Sequence, residues 1–528
     1  MNSPVVSASV LCILLGAMAA KSQTNSYMTK ADIAAANVMA KRSTDWRNGA
    51  VVYQVFVDRF APSEHLDLKR KLYAAPRSLN DWSEVPVAGH EVRSIGIWTH
   101  ELAFWGGDLK SLEGKLDYIK SLGPDALYLN PIQAALTNHK YDALDWAEVA
   151  PEYGTRQDVL DLAHGLHARG MKLMLDGVFN HMGRSGAKFQ SALNDPKSPY
   201  RDWFFIGPEY PGGYRAWVNV RNLPEVRIES QGVRDYLWDK PDSVVQKYLT
   251  DGVDGWRLDT AYELGPKYLG ELTAAAHRAK PGSVVIGEAW NYPAGWFPAL
   301  DGVMNFYARQ VVYDMLNKKL SAQMASRMME RMVDDAGIEP LLKSWLILDN
   351  HDTSRLKSDM PDDQLRHLAQ VLQFTLPGCP VLYYGVEVGM EGKGDPGSRG
   401  PMRWDLVKTT NPETRWIKKL IALRKSHPAL RIGDYAALDT EKLLGFARKT
   451  DRALDTVFVL VNPSDEAITE SVSCREGRLM NGGQLKDVLT GALVTSYSGM
   501  IDVRVPARTA RVFEMVSPKG YTPYKRIY

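Results

Sequence analysis

Eight apolar segments of strand length, each followed by a stretch of helical spacing, constrain this chain more than any other feature of its sequence. The first four are VVYQVFV (Val51–Val57), ALYLN (Ala126–Asn130), MKLMLDGVF (Met171–Phe179) and GWRLD (Gly255–Asp259). VVIGEA (Val284–Ala289), GVMNFY (Gly302–Tyr307), SWLILD (Ser344–Asp349) and VLYYG (Val381–Gly385) follow. The stretches between carry helix signals: Thr155 is placed to cap a helix over 155–170, and Gly123 to stop one over 111–123. After the sixth strand one long helix is predicted to about Ala336. Apolar strands that feed crossover helices imply a parallel sheet. Eight such units imply an α/β fold, a closed (β/α)8 TIM barrel.

Two departures from this rhythm divide the chain. Residues 180–240 are rich in Trp, Tyr, Pro, Gly and Asn and show little periodicity. So long an irregular stretch is functional or a small unit of its own, here an insertion after strand three. From about residue 431 only strand-like segments remain, among them VFVLVNPS and RVFEMV, which predicts a C-terminal antiparallel β-sandwich. The expected division is barrel over 48–181, inserted domain over 182–250, barrel again over 251–430, and sandwich over 431–528.

The N-terminal MNSPVVSASVLCILLGAMAA ends in a small-x-small pattern and is followed by polar residues. This predicts a signal peptide over 1–20, a leader over 21–47, and a secreted or periplasmic mature protein. The net charge of +2, with acids and bases interspersed, argues against a nucleic-acid partner or a membrane surface. Cys379 and Cys474 make neither a disulfide framework nor a metal cluster, and the sequence leaves them free or paired.

Polar residues gather at the predicted strand exits. Asp176, Asn180 and His181 end strand three, and Arg257 and Asp259 end strand four. Glu288 ends strand five, and His351 and Asp352 follow strand seven. Each alone has a structural reading, such as a buried ion pair or a loop hydrogen bond. Together they would share one rim of one barrel, where the active sites of such barrels lie. Glycoside hydrolysis needs two carboxyl groups flanking an oxocarbenium-like transition state. An aspartate beside Arg257 is expected to have a lowered pKa and to suit a nucleophile. Glu288, facing other carboxylates, is expected to hold its proton longer and to suit a general acid. Asp352 is then left to orient hydroxyls and stabilise developing positive charge.

With DGVFNH (Asp176–His181), GWRLD, GEAW (Gly287–Trp290) and NHD (Asn350–Asp352) in this order, the chain resembles the α-amylase family of glycoside hydrolases. The resemblance implies a barrel with a domain B after strand three and an all-β domain C. It implies retention of anomeric configuration through a covalent glucosyl-enzyme intermediate. Asp259 would be the nucleophile, Glu288 the acid/base and Asp352 the transition-state stabiliser. His181, Arg257 and His351 would bind the cleaved sugar, with His139 and Tyr141 of NHKYD (Asn138–Asp142) beside them.

NHKYDALDW, FWGGDL (Phe104–Leu109) and GMEGKGDPGSRGPMRWD (Gly389–Asp405) look most like cyclomaltodextrinases, neopullulanases and maltogenic amylases. LPEVR (Leu223–Arg227) and Val386 depart from that subgroup. The substrate expected is an α-glucan: starch, maltodextrin or cyclodextrin, with transglycosylation as the alternative to hydrolysis and a non-catalytic carbohydrate-binding relative, whose mark would be a lost carboxylate, as the third reading. No cofactor is expected for the chemistry. Asn180 is the candidate ligand of a structural calcium ion, and Gly107–Asp108 matches half of a second site. Monomer and homodimer are both left open.

Overall fold

All eight expected strands are present, run parallel and pair in sequence order until the last meets the first. The computed structural model describes residues 27–516; the predicted signal peptide lies outside them. The barrel strands are β1 (Val52–Val55), β2 (Ala126–Leu129), β3 (Lys172–Gly177), β4 (Gly255–Leu258), β5 (Val284–Ala289), β6 (Gly302–Asn305), β7 (Trp345–Leu346) and β8 (Cys379–Tyr383). Their inward side chains, including Tyr128, Met174, Ile286, Met304 and Trp345, fill the interior as one buried cluster. The barrel is thus a packed core, with its open chemistry confined to the rim.

Local signals act as expected. The Thr155 hydroxyl accepts from the Asp158 N–H at 3.3 Å, and the Asp158 carboxylate accepts from the Thr155 N–H at 2.7 Å. That reciprocal pair opens the helix Arg156–Ala168. Gly123 takes a left-handed φ of 103° and ends the helix Leu116–Leu122. The long helix expected after β6 is two helices, Phe306–Leu316 and Ala322–Ala336. Lys318 turns left-handed between them, with φ 62°, and the Ser321 hydroxyl caps the second. The helix after β4 runs Ala261–Ala279 and kinks at Gly265–Pro266.

Residues between β3 and β4 run mainly as short helical turns and isolated bridges. One bridge pairs His181 with Glu225 and so ties this segment to the exit of β3. The C-terminal strands are β9 (Asp434–Ala437), β10 (Leu444–Lys449), β11 (Val457–Asn462), β12 (Ile468–Ser473), β13 (Gln484–Asp487), β14 (Leu493–Thr495), β15 (Met500–Val505) and β16 (Thr509–Val516). Six form an antiparallel sheet in the order β9-β10-β11-β16-β13-β14, and β12 pairs with β15. Phe458, Leu460, Val472, Ile501 and Val503 join the two sheets in one buried cluster. Cys379 and Cys474 are both buried and free.

One fully buried arginine, Arg448, fastens this sheet to the barrel, and a second, Arg424, ties the last barrel helix (Pro412–Ser426) to the rest of the barrel. Arg424 donates to the carbonyls of Gly49 at 3.0 Å and Phe374 at 2.7 Å. Arg448, on β10, donates to the carbonyls of Thr375 at 2.8 Å and Gly433 at 2.9 Å. No described helix is long and apolar enough to cross a membrane.

Candidate active site

The predicted residues meet at the C-terminal mouth of the barrel. His139, Tyr141, His181, Asp259, Glu288 and Asp352 line a single cavity of about 710 Å³. Arg257 and His351 lie fully buried beneath it. β4 points Arg257 into the mouth and releases Asp259 one residue past its end. Glu288 is the penultimate residue of β5.

One guanidinium organises three carboxylates. Arg257 Nη1 lies 2.8 Å from Asp176 Oδ1 and 3.0 Å from Asp259 Oδ1. Its Nη2 lies 3.0 Å from Glu288 Oε2. Asp176 is held further by the hydroxyls of Tyr128 at 2.5 Å and Tyr141 at 3.0 Å. Glu288 is fixed from two more directions. The Thr260 N–H donates to Oε2 at 2.8 Å, and the Trp290 Nε1–H donates to Oε1 at 2.8 Å. Thr260 sits at φ 40°, ψ 44°, left-handed backbone that a β-branched residue rarely adopts. Strain of this kind gathers at functional sites.

The histidines form the opposite wall. Tyr141 stacks on His351 with ring centroids 5.3 Å apart and planes 4° apart. The Gln54 amide donates to His351 Nδ1 at 3.0 Å, so a neutral His351 carries its proton on Nε2, 3.1 Å from Asp352 Oδ2. Burial pushes His181 down to about 3 and His351 well below the ordinary range, with Arg399 and Arg257 adding to the second shift. Both rings are neutral in ordinary buffers. His181 Nε2 has no partner among the described residues.

Asp259 departs from the sequence expectation. Its burial pushes the carboxyl well above the usual carboxylate range. Arg257 opposes this, while Glu288, Asp176 and Asp352 add to it. The sequence places an arginine two residues away; it does not reveal that two other carboxylates share that arginine. A cluster with three carboxylates around one guanidinium resists losing its last proton.

Residues 54–421 match the family model described as alpha amylase, catalytic domain. The chain belongs to the α-amylase family of glycoside hydrolases. It is 31% identical over 431 residues to a cyclomaltodextrinase of Bacillus sp, covering 79% of this chain and 73% of that one. It is 30% identical to neopullulanase 2 of Thermoactinomyces vulgaris, covering 87% and 76%. Among solved structures it resembles the cyclic α-maltosyl-(1→6)-maltose hydrolase of Arthrobacter globiformis. That match has TM-score 0.74 and 27% identity, and covers 89% of this chain and 99% of that one.

In this α-amylase-family chain several site residues carried no sequence signal strong enough to single them out. Arg399 donates from Nε to the His351 carbonyl at 2.9 Å, and its Nη2 lies 3.4 Å from Asp352 Oδ1. It sits within the Gly389–Asp405 motif, but nothing there says which arginine turns inward. Glu101 Oε1 lies 3.3 Å from His139 Nε2, and Trp217 stacks on His181 at 5.1 Å. Both come from irregular segments without periodicity.

The calcium expectation was tested against the donor sets. Calcium takes six to eight oxygens. At Gly107–Asp108 an ammonium stands where a cation would: Lys69 Nζ lies 2.5 Å from Asp108 Oδ2 and 3.2 Å from the Glu152 carbonyl. The Asn180 carbonyl accepts from the Val226 N–H at 2.9 Å, and its side-chain amide contacts His181 Nδ1 at 3.4 Å. No group of three or more His, Cys, Asp or Glu able to hold a metal occurs among the described residues. These residues do not fit a calcium cage, and no step is derived through one.

Proposed function

We propose that this enzyme hydrolyses α-1,4-glucosidic bonds in starch-derived glucans, maltodextrins or cyclodextrins with retention, through a covalent glucosyl-enzyme intermediate. The observation that carries this reading is the shared guanidinium. Arg257 within 3.0 Å of both Asp259 and Glu288 keeps the two carboxyls close. That favours the ~5–5.5 Å separation of retaining enzymes over the ~6.5–9.5 Å that leaves room for an inverting water.

Asp259 attacks the anomeric carbon as the glycosidic C–O bond breaks, and Glu288 gives its proton to the departing oxygen. The positive charge that develops on the ring is met by Asp259 and Asp352. A water then enters, Glu288 takes its proton, and the Asp259 ester bond breaks to release the sugar. Arg257 holds both carboxyls in register throughout. Neutral His351 directs its Nε2–H at Asp352 and the Tyr141 hydroxyl and so sets the wall beneath the sugar, and His181 offers its unpartnered nitrogen to hydroxyls of the sugar being cleaved. His139 and Tyr141 pack beside it.

The test is the anomeric form of the first product. Proton NMR during the first turnovers on maltotriose or a longer maltodextrin is expected to give the α-anomer. A β-anomer would overturn the covalent step. Ring opening of β-cyclodextrin measured beside soluble starch then ranks the substrates. Transglycosylation is the second reading, and exposed aromatics beside Glu288 favour it. Trp290 stacks on Phe306 at 3.5 Å and is half exposed, as is Tyr262, so an acceptor sugar has a surface to rest on. Accumulation of oligosaccharides longer than the substrate would mark it.

The sequence of residues 1–20 supports export to the periplasm or medium, although one relative, 28% identical over 85% of this chain, is named the intracellular maltogenic amylase of Bacillus subtilis. N-terminal sequencing of the protein recovered from its own cells decides between them: a mature chain starting near Lys21 supports export.

A further inference from the structure

The cavity that holds the carboxylates is walled at one end by a segment that the mechanism does not use. Glu91–Val92 pairs antiparallel with Ile97–Trp98, a small hairpin in the long connection after β1. Gly96 turns it at φ 69°. A Cβ on Gly96 would lie 3.1 Å from the Arg221 Cβ, so the hairpin touches the 217–222 stretch of the insertion. That stretch is itself strained: Val218 and Asn219 are both left-handed, at φ 45° and 60°. Glu91, Gly96, Trp98 and Arg221 line the same cavity as Asp259 and Glu288. Two chain segments from opposite sides therefore meet across the groove.

The position of this contact along the groove follows from the hydrogen bonds. Glu101 Oε2 accepts from the Trp98 N–H at 2.7 Å. Its Oε1 reaches His139, whose ring leads on to Tyr141 and His351. Trp98 is thus tied to the wall that receives the sugar being attacked. Trp290 donates to Glu288, the group that protonates the departing oxygen, at 2.8 Å, and Tyr262 lines the same cavity. Trp98 is 47% exposed, and its one ring contact among the described residues is a tilted one with His100, at 5.8 Å. An aromatic face left open inside a sugar-binding groove is a stacking surface without its stack.

We propose that Trp98 is the platform for the sugar on the non-reducing side of the one attacked, and that the contact between the hairpin and residues 217–222 closes the groove just beyond it. The inference rests on the hydrolase reading above and gives it a direction along the chain. A linear α-glucan can then extend far past Glu288 but only briefly past Trp98. A cavity of about 710 Å³, within the ~300–1,000 Å³ of small-ligand pockets, suits a short oligosaccharide. Cleavage falls near non-reducing ends, and the fragments released from that end are short.

The experiment is initial-rate product mapping on maltoheptaose labelled at its reducing end. The wild-type enzyme is expected to give mainly long labelled products. Trp98→Ala is expected to spread the products towards shorter labelled fragments and to lower kcat/KM about 10-fold, the scale of one lost aromatic stack. Trp98→Phe should restore most of both, and matching melting temperatures would exclude misfolding as the cause. Arg221→Gly, which removes the Cβ against Gly96, should loosen the end and lengthen the released fragment. An even spread of labelled products from the wild type, or an unchanged pattern and rate in Trp98→Ala, would overturn the proposal. A wild-type enzyme that cuts no maltooligosaccharide would refute the hydrolase reading, and this proposal with it.

Discussion

The backbone N–H of Thr260 points at Glu288 Oε2 across 2.8 Å, from a residue held in left-handed conformation. The two lie at the ends of neighbouring strands, β4 and β5. A turn that strains one residue thereby fixes the carboxyl on the next strand. Glycine adopts such a conformation without steric cost. Thr260→Gly keeps the N–H and relieves roughly 1 kcal/mol or more of strain, against a similar entropic loss. It is expected to leave kcat within about 3-fold of wild type and the melting temperature nearly unchanged. A collapse of kcat in this variant would mean that the threonine side chain, not its backbone, positions Glu288.

Removing either catalytic carboxyl separates chemistry from structure. Asp259→Asn and Glu288→Gln should each lower kcat by at least about 10³-fold while the fold persists, since the amides keep size and most packing. Near-wild-type turnover in Asp259→Asn would end its assignment as nucleophile. Azide added to Asp259→Gly should restore turnover and yield the β-glucosyl azide, because the anion would attack from the side the carboxylate vacated.

The raised Asp259 carboxyl sets the acid side of the pH profile. Attack needs the ionised form, so activity is lost as pH falls through a value higher than the ordinary ~3.9 of an aspartate. Like-charged Asp176 contributes to that rise. Asp176→Asn is expected to move the acid limb of kcat/KM to lower pH, measured by initial rates from pH 3 to 8. A limb that stays in place would show that burial, with Glu288 and Asp352, sets it without Asp176.

Stability should respond to the buried histidines in the same sense as activity responds to Asp259, both falling towards acid. His181 titrates near 3 when folded and near its ordinary ~6.5 when unfolded. Between those values the unfolded chain binds the extra proton, so stability is full above about pH 6.5 and falls as pH drops towards 3. His181→Gln should flatten part of this slope in melting curves recorded from pH 7 to 4. An unchanged slope would place the acid sensitivity elsewhere, His351 being the next candidate.

Metal removal should do little. Dialysis against EDTA is expected to leave activity and melting temperature unchanged, because Lys69 supplies the positive charge at Asp108. Lys69→Met should lower the melting temperature by about 2 °C. A large loss of stability in EDTA would mean that calcium binds through oxygens other than those around Asp108 and Asn180.

Much of this molecule was legible in its sequence because the signals were local. A strand needs only a few apolar residues, a helix stop only Gly123, and a cap only Thr155 with Asp158. The convergence of Asp259, Glu288 and Asp352 was legible because the barrel turns sequence order into a ring. What escaped was set by distance. The break in the helix after β6 depends on Lys318 and Ser321, whose turn the apolar periodicity does not record. The rise at Asp259 needs all the charges that face it, and the sequence names only its neighbour. Arg399 lies in an irregular segment and Trp98 in a strand of only two residues, where residue type is visible but direction is not.

Arg448 reaches from the sheet across the seam to the Thr375 carbonyl of the barrel, and behind it Arg424 holds the carbonyls of Gly49 and Phe374 within the barrel itself. Such carbonyls have no substitute donor in the dry interior, and a guanidinium pulled from them has nowhere to discharge. The sheet is therefore the floor of the barrel rather than an appendage to it. A catalytic piece cut at residue 430 would be an unfinished protein, and barrel and sheet should melt together in a single heat-absorption peak.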